Sequence, residues 1–211
     1  MIPTREELKE ALAAKHGQSL QDKLGKATVA ICGLGGLGSN IAISLARTGI
    51  GKLILIDFDK VEITNLNRQQ YKMSQLGENK ADALAINIRE INPYVELEVH
   101  TVLITEVNAE ELLSDADIIC EAFDNAENKA MLTNIVLEKF PDKYLVAASG
   151  MASTDSPNTI KTRRLSSHFY LCGDAINDVA KVESLVAPRV MICAAHQAHT
   201  VIRIISGEYD V

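Results

Sequence analysis

An α/β fold, with a mostly parallel sheet and helices on both of its faces, is what the residue pattern predicts. Three observations predict it. Short, continuously apolar runs alternate with stretches of helical spacing between Thr28 and Ala148. A glycine-rich turn joins the first such run to the first such helix. Nearly half the chain is apolar (47%), enough to bury both faces of a sheet. Apolar runs separated by helices need crossover connections, which make neighbouring strands parallel and cover them with helices.

Taken in order, the chain opens on a helical arm, residues 1–26. Thr4 and Glu7 have capping-box spacing, Leu8, Ala11 and Leu12 give a narrow apolar face, and Gly17 is a stop. QDKLGKA reads as a charged lead-in to the first strand, Thr28 to Cys32, which ends in glycines. Leu37, Ile41, Leu45 and Thr48 follow at helical spacing. KLILID (52–57) is a buried strand, and Lys80 to Ile91 a helix that stops before Asn92-Pro93. Val95 to His100 alternates apolar and polar, so it belongs near a sheet edge. Asp117 to Ala122 and Tyr144 to Ala148 are further strands, joined by a helix from about Ala126 to Phe140. After Ser149 the pattern changes. GMASTDSPNT is a loop, TIKTRRL is one more strand, and 166–186 mixes its signals as a crossover loop or lid would. Pro188 opens a last helix that ends near Gly207. The 211 residues suit a single domain, 1–211.

The charge balance excludes some functions. A net charge of -7 argues against nucleic acid and against an anionic membrane surface. With no spanning segment and no leader-like start, a cytoplasmic location is expected. Cys32, Cys120, Cys172 and Cys193 are scattered and form no CxxC pair, so no zinc is expected.

Residues 33–38 read GLGGLG, between a strand and a helix. In that context Gly33 makes the tight turn and Gly35, with Gly36 beside it, lets backbone approach a phosphate. Gly38 lets helix and strand pack closely. Asp57 closes the second strand 19 residues after Gly38, where a carboxylate accepts hydrogen bonds from ribose hydroxyls. Asp59 on the same turn reads either as a helper or as a solvated turn carboxylate. These features specify a Rossmann-like nucleotide site without naming the nucleotide.

The stretch DFDKVEITNLNRQQ (57–70) is dense in fixed polar groups. Arg68 offers a planar fork to phosphate oxygens, and Lys80, 12 residues on, a point charge at a helix start. Asn65 and Gln69 can orient phosphates or the base. Two added cations exceed the needs of a pyrophosphate and suit a triphosphate, whose reaction depends on positioning and charge neutralisation. EAFDN (121–125) ends the fourth strand, so Asp124 is placed either to hold magnesium or to cap the next helix. An NAD-dependent oxidoreductase shares the loop and the acid and remains the rival reading.

GLGGLGSN, LIDFDKVEITNLNRQQY, Lys80 and EAFDN together resemble the ubiquitin-activating-enzyme-like superfamily. EAFDNAENKAML, AASGMA, YLCGD and APRVMICAAHQA are similar to its compact ThiF form within the ThiF/MoeB/HesA group. The resemblance implies ATP and Mg2+ as cofactors and adenylation of the C-terminal glycine of a ubiquitin-like sulfur carrier. That carrier is ThiS-like, in thiamine thiazole biosynthesis, with a MoaD-type carrier as the alternative. It implies Asp57 at the ribose, Arg68 and Lys80 at the triphosphate, and Asp124 at magnesium. It also implies a homodimer in which an arm arginine, here Arg5, crosses to the partner's site. Larger members hold zinc on two CxxC pairs, which this chain lacks. Cys172 lies where some members transfer sulfur, although a half-buried thiol is the plainer reading. Cys193, His196 and His199 on the last helix read as core or interface residues.

Overall fold

A computed structural model describes residues 2–177 and 184–211. Its centre is a seven-stranded sheet: β1 (Thr28–Cys32), β2 (Lys52–Ile56), β3 (Glu96–His100), β4 (Ile118–Glu121), β5 (Tyr144–Ala148), β6 (Lys161–Arg164) and β7 (Phe169–Gly173). Their spatial order is β3-β2-β1-β4-β5-β7-β6. Every pairing is parallel except β6 with β7. The alternating Val95–His100 segment supplies β3 and does lie at an edge.

The helices are α1 (Arg5–His16), α2 (Gln18–Leu24), α3 (Gly36–Arg47), α4 (Lys80–Ile91), α5 (Ala109–Leu112), α6 (Ala126–Lys139) and α7 (Ala187–Ser206). Successive strand residues face opposite ways, so each strand feeds two cores. Val29, Ile31, Leu53 and Leu55 pack with α3, α4 and α7, through Leu37, Ile41, Leu84 and Val201 among others. Ala30, Cys32, Ile54 and Ile56 pack on the other face with Leu132 and Val136 of α6 and Ala109 of α5. This double burial is why the strands read as unbroken apolar runs.

Helix ends follow their residues. Thr4 and Glu7 complete the capping box of α1. α7 has Pro at its start and ends on Gly207 at φ 96. Two expectations need correcting. The first half of QDKLGKA (21–27), read as a charged lead-in, belongs to helix α2 (Gln18–Leu24), which buries Gln21 and Leu24. Phe169–Gly173, inside the span 166–186 read as a crossover loop, is strand β7, paired on both sides by β5 and β6. Its helix-neutral residues acquire strand geometry from those partners. Residues 178–183 of that span lie outside the described residues.

The strand order reverses between β1 and β4. In such sheets the crevice for a ligand opens at that point, outside the carboxyl ends of the strands. All the loops carrying the sequence motifs leave the sheet at that edge.

Candidate nucleotide site

Gly33 follows β1 at φ 90, a conformation that disfavours a side chain. A Cβ there would lie 3.0 Å from both the Ala122 carbonyl oxygen and the Phe123 ring. Its N–H donates to the Ile56 carbonyl at 2.9 Å. A Cβ on Gly38 would fall 1.8 Å from the Gly33 carbonyl oxygen, so α3 approaches the loop as only glycine allows. Gly35 caps α3 without any side-chain hydrogen bond, which leaves the first N–H groups of the helix available to an anion.

Asp57 is buried at the end of β2. One carboxylate oxygen accepts from the Leu34 N–H at 2.6 Å, the other from the Asp59 N–H at 2.8 Å. Burial raises its pKa, opposed by the Lys80 charge and by these two donors. Each oxygen keeps a lone pair for a ribose hydroxyl. The Tyr71 hydroxyl donates to the Leu34 carbonyl at 2.7 Å and pins the loop from the other side.

Arg68 lays its stem beside Gly36, where a Cβ would meet Arg68 Cγ at 3.5 Å. Its Nη1 donates to the Thr64 carbonyl and the Asn67 side chain, at 3.0 and 2.8 Å, which holds the guanidinium in one orientation. Partial burial pulls its pKa down while the Asp124 carboxylate pushes it up. Lys80 is buried at the start of α4, with its ammonium 2.7 Å from Asp59. The Gln69 side-chain oxygen is buried and has no hydrogen-bond donor among the described residues. Its amide nitrogen points at Gly35, 3.7 Å from where a Cβ would be. Asn65 instead accepts from the Glu62 N–H at 3.0 Å and shapes the turn below.

The helix cap that competed with metal binding at Asp124 falls to its neighbour. Asn125 accepts from the N–H groups of Glu127 and Asn128, and Asp124 stays exposed. Gly33, Gly35, Gly36, Asp57, Asp59, Arg68, Lys80 and Asp124 all line one cavity of about 330 Å³ at the reversal point. Gly38, Asn65 and Gln69 support it from outside the lining. The residues fit a nucleotide: an uncapped helix start, close approaches at Gly33 and Gly38 that a Cβ would block, and two cations lining one cavity with an exposed carboxylate. A single carboxylate completed by phosphate oxygens is ordinary magnesium coordination.

Other candidates lie elsewhere. Cys172 is buried in β7, and its thiol, 3.6 Å from the Thr162 hydroxyl, is pushed up by desolvation, so it is no ready nucleophile. Cys193 is buried in the core. His196 contacts the Thr162 hydroxyl through Nδ1 at 2.9 Å. Among the described residues no group of three His, Cys, Asp or Glu could hold a metal. Arg5 sits at the amino end of the strands, its guanidinium 5.6 Å above the Tyr94 ring. Residue types alone did not reveal a second cavity, of about 350 Å³, which shares Leu37, Phe123, Asp124 and Met151 with the first. It is walled further by Lys129, Ser149, Gly150 and Ile176.

The ThiF family model matches residues 8–211. The chain belongs to the ThiF family. Its similarity to other proteins spans several activities. It is 34% identical over 145 residues to the adenylyltransferase and sulfurtransferase MOCS3 of Caenorhabditis briggsae, covering 68% of this chain and 35% of that protein. It is 38% identical over 194 residues to the ubiquitin-like modifier-activating enzyme 5 of Drosophila pseudoobscura pseudoobscura, covering 86% and 47%. The chain thus spans less than half the length of these relatives. Among solved structures, E. coli tRNA N6-threonylcarbamoyladenosine dehydratase TcdA, in complex with ATP, superposes with a TM-score of 0.84. That match covers 99% of this chain and 98% of the other at 22% identity, so it speaks for the fold alone. No described helix is long and apolar enough to cross a membrane.

Proposed function

We propose that this ThiF-family chain is an adenylyltransferase that activates the C-terminal carboxylate of a ubiquitin-like carrier protein at the expense of ATP. One observation carries the reading. A glycine-loop cavity containing Arg68, Lys80 and Asp124 lies beside a second cavity, and Leu37, Phe123, Asp124 and Met151 line both. The first suits a nucleoside triphosphate. The second suits an extended peptide end approaching its α-phosphorus. The names borne by MOCS3 and by modifier-activating enzyme 5 support the same chemistry.

In this reading the carrier's carboxylate, already ionised at neutral pH, attacks the α-phosphorus and pyrophosphate leaves. Asp57 orients the ribose. The N-terminus of α3 faces the phosphates, and Arg68 and Lys80 balance the charge that builds on the leaving group. Lys80 exchanges its contact with Asp59 for phosphate oxygens. Asp124 would hold magnesium, whose charge would offset the repulsion among the phosphate oxygens. No side-chain nucleophile is required, which agrees with the buried state of all four cysteines. The work of the protein is to hold two anions in line.

The finer parts of the reading are a ThiS-like carrier, with a role in thiamine thiazole formation, and a homodimer. α1 buries none of its own residues, which supports a partner protomer packing on it; Arg5 is held at Tyr94 of its own chain, at the amino end of the strands. The test is ATP–pyrophosphate exchange with a panel of ThiS-like, MoaD-like and ubiquitin-like carriers ending in glycine. Exchange that depends on a ThiS-like carrier is expected. Binding of NAD in place of ATP, or exchange with none of the carriers, would reject the reading.

A further inference from the structure

Glu121 is the last residue of β4 and is 1% exposed. A carboxylate at the end of a buried strand needs a partner, since desolvating it alone is costly. The partner is Lys129, in the first turns of α6. Its ammonium lies 3.0 and 2.9 Å from the two carboxylate oxygens and 2.9 Å from the Ala148 carbonyl. These three contacts use all three ammonium protons. Burial raises the Glu121 pKa, and Lys129 opposes that rise more than any other neighbour.

The location of the pair is unusual. Strands β4 and β5 are registered only as far as Cys120 opposite Val146. The ladder between them ends at that pair, and Ala148, the last residue of β5, lines the second cavity. Lys129 bridges the ends just where the ladder stops, by holding Glu121 of β4 and Ala148 of β5 at once. From the opposite face of the sheet, the Gln197 amide of α7 donates to the Glu121 and Val146 carbonyls at 3.0 and 3.1 Å. Both strand ends lead into cavity walls. One Glu121 oxygen also accepts from the Phe123 N–H at 2.7 Å, which closes the turn presenting Asp124. Ala148 runs into Ser149 and Gly150, which wall the second cavity.

We propose that Lys129 and Glu121 are a positioning pair that sets the separation of the β4 and β5 ends, and with it the alignment of the two cavities. The catalytic part of this proposal rests on the adenylyltransferase reading. Glu121 lines neither cavity, and Lys129 walls the second with its ammonium engaged on Glu121 and Ala148. Lys129 acts through the carboxylate it neutralises and the carbonyl it holds.

The test compares Lys129→Met with Lys129→Arg in the full chain by amide hydrogen exchange and by ATP–pyrophosphate exchange kinetics. Losing hydrogen bonds to a charged group should speed amide exchange about tenfold in Lys129→Met, in residues 122–125 and 149–151 together. Lys129→Arg should stay close to wild type. In the kinetic arm, misalignment of about 1 Å should cost Lys129→Met about 100-fold in kcat, with the KM for ATP unchanged. If Lys129→Met does not fold, Glu121→Gln with Lys129→Met leaves no buried charge and carries the same readouts. Unchanged amide exchange in either segment would overturn the proposal, as would wild-type kcat or a KM for ATP that rises in step with the loss. A wild-type protein without any pyrophosphate exchange would reject the adenylyltransferase reading instead, and amide exchange would still decide whether the pair sets the two strand ends.

Discussion

Replacing Gly38 by alanine tests the glycine loop most sharply. The new methyl would lie 1.8 Å from the Gly33 carbonyl oxygen, 2.9 Å from its carbon and 3.1 Å from Ile31 Cγ2. Ordinary carbon–oxygen contacts are about 3.3 Å or longer, so loop and helix must part by roughly 1.5 Å. Overpacking of that kind costs about 1–3 kcal/mol. Moving Gly33 also drags Leu34, whose N–H is 2.6 Å from the buried Asp57 carboxylate. Losing that charge-assisted bond costs about 1.5–3 kcal/mol more. Alanine recovers about 1 kcal/mol of helix propensity. The net is a destabilisation of roughly 3 kcal/mol, or a fall in Tm of about 6–12 °C for a chain of this size. Thermal unfolding followed by circular dichroism reads the first effect, and equilibrium binding of ATP the second. A Tm equal to or above that of wild type, with ATP binding intact, would refute the packing argument.

Three further outcomes are expected. Arg68→Ala and Asp124→Asn keep the fold, because neither side chain is buried in the core, but each lowers ATP–pyrophosphate exchange by about 100-fold or more; full exchange in both would remove their assigned roles. Arg189→Met removes the only cation paired with buried Asp174 among the described residues, because Arg189 donates to its carboxylate at 2.6 Å, and it also frees the carbonyls of Ala152, Asp155 and Ser156. Breaking a buried pair of this kind costs about 3–5 kcal/mol in a denaturant titration. The third outcome concerns pH. The raised pKa of Asp57, due to burial, means that its contribution to stability is complete below its ordinary value of 3.8 and is lost as pH rises through the higher folded value. Asp57→Asn lacks that loss. Wild type should therefore lead this variant by its widest margin in acid, and the margin should narrow as pH rises in paired denaturant titrations; a margin that widens with pH would contradict the assigned shift.

Much of the fold is legible in the residue order because the strands are buried on both faces and the helices are not. Lys80–Ile91 and Tyr144–Ala148 can be read to the residue for that reason. α2 is hidden because Leu20 and Leu24 are its only large apolar residues and its remaining side chains resemble a loop. β7 is hidden because FYLCG has no period of its own and becomes a strand through β5 and β6. At the site, the glycines, Asp57, Arg68, Lys80 and Asp124 are legible from spacing, since a nucleotide loop dictates what should follow it. Asp124 and Asn125 are both good caps, and only backbone geometry chooses Asn125. The Glu121–Lys129 pair was missed, although a glutamate ending the run IICE is itself a signal that a buried charge requires a partner.

The central claim is that the cavity at the strand reversal seats a triphosphate between two cations and a metal-holding carboxylate. A crystal structure with a non-hydrolysable ATP analogue and magnesium tests it most directly. The phosphates should run from the start of α3 towards Arg68 and Lys80, with the metal on Asp124 and the ribose on Asp57. Density for the phosphate chain elsewhere, or for a metal held without Asp124, would contradict the account.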